Sequence, residues 1–171
     1  MRHPLHAAFV HFPVALLGTS LAFDLAGLVL DNPVFWTLAF WNIALGLSVS
    51  LLTVATGLAD SRSVPAQSEA WNTMFRHLLV MLGALCCYGG SLLVRHGAGA
   101  PVGYALPATL ALEGVGLALL AFGGWLGGEL VYRHGVGRAP AKAMPFGSTS
   151  AAHHSAPLGG AGSAQQRKLM K

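Results

Sequence analysis

The sequence predicts an all-α fold: a polytopic membrane four-helix bundle with its N- and C-termini on the same, cytoplasmic side. Three observations carry this. Of the 171 residues, 54% are hydrophobic and only 9% charged, where a soluble domain carries about 25% charged residues; the mean hydropathy is +0.58. Four separate apolar blocks are each long enough to cross the roughly 30 Å of bilayer hydrocarbon. None shows period-2 alternation, and an open sheet would leave backbone groups unpaired in lipid, so the blocks read as helices.

The first block, residues 7–30, is entered through RHPLHAAFVHFP, residues 2–13, and contains Pro13. A proline inside a helix removes one backbone bond, so either a helix opened by Pro4 kinks near Phe9–Pro13, the favoured reading, or the span proper begins at Pro13. The block exceeds the 7–15 residues of a signal-peptide core and is expected to be a retained span. The second block, residues 34–58, is introduced by Asn32-Pro33, an N-cap followed by proline at the first helical position. The short link before it predicts an antiparallel hairpin. The third block, residues 77–94, has a polar lead-in for which Ser68 is the expected N-cap, and the fourth, residues 107–132, opens near Pro107.

In the fourth block, Gly123 and Gly127, and Gly124 and Gly128, form two offset GxxxG patterns, which let helix backbones approach closely. Trp36, Trp71, Tyr104 and Tyr132 fall near the expected span ends, where amphipathic rings belong. Cys86 and Cys87 are adjacent within an apolar run and read as small core residues. The four spans belong to a domain over residues 3–137. Residues 139–171, rich in Ala, Gly, Ser, Pro and Gln, read as a disordered low-complexity tail.

Charge sets the orientation. With four spans, Arg2, Arg62, Arg76, Arg133, Arg138, Lys142, Arg167, Lys168 and Lys171 share one side and Arg95 alone takes the other. Excess basic charge marks the cytoplasmic side, so the chain is expected in a bacterial inner membrane with both termini inside. The basic net charge forms no face suited to nucleic acid; the bilayer is the expected partner, with a redox partner or a homo-oligomer as further candidates.

The same end gathers the titratable groups. His3, His6 and His11 enter the first span there, Asp60 leaves the second, His77 enters the third, and Glu129 and His134 leave the fourth. Neutral imidazole is the commonest metal ligand and an axial haem ligand. His11, His77 and His134 are therefore the candidate ligands of a haem b or a divalent transition metal. Asp60 and Glu129 are the carboxylates expected to accept their other N–H. His3 and His6 stand nearer water and are weaker candidates. Asp24 and Glu113 lie within spans, where an ionisable group marks function by default.

Several motifs resemble a bacterial membrane-protein family, the DUF2231 domain. They are HP at 3–4, HFP at 11–13, Asp24, GLAD at 57–60, His77 and GGWLGGELVYRHGVG at 123–137. The resemblance implies a four-helix membrane domain and no assigned activity. Relatives fused to Rieske-type or cytochrome-like domains point towards electron transfer, although this chain carries no such fusion. There is no GxSxG elbow, P-loop, HExxH or Rossmann fingerprint. Three readings stay open: a histidine-ligated haem or metal protein linked to electron transfer, a structural or assembly subunit without cofactor, and a small proton-coupled transport module using Asp24 and Glu113.

Overall fold

The structure is a computed structural model that describes residues 6, 9–62 and 64–137. Among these it is all-helical. Four helices follow in order: α1 (His11–Leu30), α2 (Pro33–Ser61), α3 (Glu69–Val94) and α4 (Ala105–Tyr132). At 1.5 Å per residue their 20, 29, 26 and 28 residues reach about 30–44 Å, enough to cross a bilayer. All four are long and apolar enough to be membrane spans. The tail expected over 139–171 lies outside the described residues.

The ends form where local chemistry dictates. Asn32 caps α2 by accepting the Val34 N–H at 3.0 Å, with Pro33 at the first position. Asp31, in the left-handed conformation, closes the tight turn before it. Ser68 caps α3 by accepting the Trp71 N–H at 3.1 Å. The proline-kinked helix expected around Phe9–Pro13 takes a different form. α1 begins at His11, so Pro13 falls in its first turn, where a missing N–H costs nothing. Just upstream, the Val10 N–H donates to the His6 carbonyl at 3.0 Å.

The packing is a ring of antiparallel neighbours. α1 lies chiefly on α2, and α3 on α4; α1 also meets α4, and α2 meets α3. Glycines report the registers. Gly27 of α1 faces Trp36, Gly46 of α2 faces Leu17, and Gly57 faces His6, stepping oppositely along the two chains. On the other pair, Gly116 faces Tyr88, Gly123 faces Met81 and Gly127 faces His77. Ser20 opposite Glu113 and Gly18 beside Leu117 tie α1 to α4. Of the two GxxxG patterns, Gly123/Gly127 is thus the one packed on α3, while nothing from another helix lies near Gly124.

Leu17, Ile43, Ala84, Tyr88 and Leu120, one or two from each helix, form the central core. One expectation is corrected. Cys86 is exposed and Cys87 half-buried, because Ala84, Tyr88 and Ser91 occupy the inward face of α3. Trp36, near the start of α2, is 6% exposed, its indole seated on the bare Gly27 backbone.

Candidate functional site

The interior of the bundle is polar at one end. On α1, Leu17, Ser20, Asp24 and Gly27 follow at intervals of three and four and are all buried. Tyr88 and Ser91 continue to Arg95 at the end of α3 in the same rhythm, and Thr109 and Glu113 do so on α4. This spacing puts each set on one helix face, and the antiparallel registers bring the three faces to one level.

Arg95 is the surprise of the site. An arginine at the end of a span normally extends its head outward to water. Here the residue is 4% exposed, and its guanidinium turns inward. Arg95 Nη2 donates to Asp24 Oδ1 at 2.5 Å, and Nη1 stands 3.8 Å from Glu113 Oε1. Glu113 Oε1 accepts from the Ser91 hydroxyl at 2.8 Å, and the Ser20 hydroxyl lies 3.3 Å from Oε2. All three charged side chains are fully buried. Around them, the Tyr88 hydroxyl, the Thr109 hydroxyl and Arg95 Nε make no hydrogen bond, and Asp24 Oδ2 accepts from no N–H or hydroxyl. One guanidinium therefore faces two carboxyls in a low-dielectric enclosure with hydrogen-bonding capacity to spare. At the level of Asp24, α2 buries the apolar Ala39.

The sequence marks Asp24 and Glu113 as intramembrane acids but leaves them apart, and it uses Arg95 only as an orientation charge. The signal that links them is the three-four spacing of Ser20/Asp24, Tyr88/Ser91/Arg95 and Thr109/Glu113.

At the opposite end the histidines have different partners. His11 is exposed. His77 is half-buried, and its Nδ1 donates to the Gly123 carbonyl at 2.8 Å. His134 Nε2 shares a 3.3 Å hydrogen bond with the Thr73 hydroxyl. Among the described residues, no group of three or more His, Cys, Asp or Glu side chains is placed to hold a metal ion. His6, expected near water, is half-buried, and its Nδ1 donates to the Thr53 carbonyl at 2.9 Å. Asp60 is exposed at the end of α2. Glu129 accepts from Arg133 at 2.6 Å, and Arg133 also reaches Glu69 at 3.7 Å. The Glu129 bond favours the charged form of Arg133 and raises its pKa.

The long motif at 123–137 therefore latches α4 to the start of α3. Gly123 and Gly127 admit Met81 and His77, Arg133 and His134 reach Glu69 and Thr73, and Gly135 and Gly137 take the positive φ that the exit turn requires. A cleft beside this latch is lined by Val64, Pro65, Ala70, His134, Gly135, Val136 and Gly137.

No curated protein and no solved structure matches the chain. A family model described as a predicted membrane protein does match, over residues 2–140. With four membrane-capable helices and the motifs above in place, the chain belongs to the DUF2231 family of predicted membrane proteins.

Proposed function

We propose that this membrane protein is a proton-handling module whose working group is the Asp24–Arg95–Glu113 cluster. One observation supports the reading above the others: two fully buried carboxyls share a single guanidinium. One carboxylate balances Arg95, and a second buried negative charge would be uncompensated. The cluster is electrically balanced when it holds one proton, and both carboxyls face the same guanidinium, so that proton has two seats. The Tyr88 and Thr109 hydroxyls and Ser91 and Ser20 are the neutral groups through which it would arrive or leave. In the same reading, the end that exposes Arg62, Arg76 and Arg133 faces the cytoplasm of a bacterial inner membrane. The sequestration of Arg95 removes the one basic group opposing that orientation.

The test is infrared difference spectroscopy of the purified protein across a pH titration. A protonated buried carboxyl gives a C=O stretch that shifts in D2O. The band should be lost in Glu113→Gln, altered in Asp24→Asn and retained in Glu129→Gln. A titration with no carboxyl band, or one indifferent to Asp24 and Glu113, would make the cluster a fixed structural clamp.

A second reading, a histidine-held haem b or divalent metal linked to electron transfer through His11, His77 and His134, has one observation in its favour. His77 and Thr73, the partner of His134, are one turn apart on α3, so both rings reach the same stretch. A reduced-minus-oxidised absorption spectrum and the metal content of the purified protein test it.

A further inference from the structure

The end opposite the acid cluster holds a pair of imidazoles that the sequence does not put together. His6 precedes α1, and His77 sits two turns into α3. Continuing the α1–α2 register brings His6 level with Gly57. Continuing the α1–α4 register brings the same level to Gly127, which itself faces His77. The two rings lie within electrostatic reach of each other.

Both rings are also prepared alike. His6 Nδ1 bonds the Thr53 carbonyl at 2.9 Å, and His77 Nδ1 bonds the Gly123 carbonyl at 2.8 Å. A carbonyl oxygen only accepts, so Nδ1 carries the proton in each ring and Nε2 of the neutral ring keeps its lone pair. Anchoring Nδ1–H on a backbone carbonyl is how a metal-binding histidine is oriented and made more basic. Each ring rests on a glycine: a Cβ at Gly57 would come within 3.0 Å of His6, and one at Gly127 within 3.3 Å of His77. The glycines leave room for the rings, and the carbonyls fix their orientation.

We propose that His6 and His77 form a two-imidazole site for a divalent transition-metal cation. Imidazole suits Cu2+, Ni2+ and Zn2+, while Mg2+ and Ca2+ prefer oxygen; water completes the shell at this half-buried position. The site is independent of the acid cluster, and its ligand pair differs from His11, His77 and His134.

Cu2+ is the probe. The full chain is prepared with His3→Ala, His153→Ala and His154→Ala, so that these histidines do not compete, and is titrated in detergent. Electron paramagnetic resonance counts the coordinating imidazoles. The expected result is one equivalent of Cu2+ bound through two imidazoles, undisturbed by millimolar Mg2+. His6→Asn and His77→Asn, whose amide N–H can still reach the carbonyl, should each lower the affinity at least tenfold. His11→Ala and His134→Ala should leave it unchanged. Elution as a single species in size-exclusion chromatography confirms that each variant is folded. The proposal is overturned if no stoichiometric Cu2+ binds, if both asparagine variants keep full affinity, or if His11 or His134 proves to be the ligand.

Discussion

Arg95 does in this molecule what a span-terminal arginine rarely does. It gives up water to sit between Asp24 and Glu113. The desolvation of such a charge is recovered only while its partners remain. Replacing Arg95 with Met should leave two buried carboxyls without a cation and cost about 3–5 kcal/mol, read as a lower thermal midpoint in detergent. Arg95→Lys keeps the charge but loses the planar fork and should fall between the two. Replacing the whole cluster, with Arg95→Met, Asp24→Asn and Glu113→Gln together, should recover much of that loss, since removing an ion group entirely is far less damaging than orphaning part of it. If the triple variant is no more stable than Arg95→Met alone, the charges do not act as a unit.

At the scale of elements, glycine decides which helix faces meet. A Cβ at Gly46 would lie 2.8 Å from Leu17, inside the central core. Gly46→Ala should therefore cost about 1–3 kcal/mol by overpacking. Gly89 has open space around it, and Gly89→Ala should be neutral or stabilise by up to about 1 kcal/mol through helix propensity. Thermal unfolding of the two variants side by side gives the comparison, and equal effects would mean that the α1–α2 register is not as described. Much of this level was legible beforehand. The four helices follow from block length and hydropathy, and the Asn32 and Ser68 caps from residue type. What block length cannot reveal is the azimuth of each helix, because lipid makes the outer face as apolar as the core. That is why Cys86 points outward against expectation. It is also why one GxxxG pattern packs on α3 while Gly124 of the other meets no neighbouring helix.

For the whole molecule, the candidate sites were legible only in part. Position along the axis is written in the sequence, so Asp24 and Glu113 could be marked as intramembrane acids and the histidines assigned to one end. Convergence is not written there, because it depends on registers set by Gly27, Gly46, Gly116 and Gly127 against their partners. Hence His6 enters and His11 leaves the set of inward rings. Orientation has a direct check: a reporter fused after Lys171 should be active in the cytoplasm, and labelling of a cysteine at exposed His96 should require access from outside. Activity or labelling with the opposite polarity would invert the proposed topology.

Between the acid cluster and the two histidines lies the layer of Leu17, Ile43, Ala84 and Leu120. In an energised membrane this layer acts as the dielectric of a capacitor. Polar groups on either side relax in an electric field, and the apolar layer does not. Were water to reach both ends, the transmembrane voltage, worth about 2.3 kcal/mol per elementary charge per 100 mV over its full drop, would fall mostly across those four side chains rather than across the whole bilayer. A charge passing between the two ends would then meet most of the field in that short step, and the fraction of the voltage falling there would set how steeply the step depends on it.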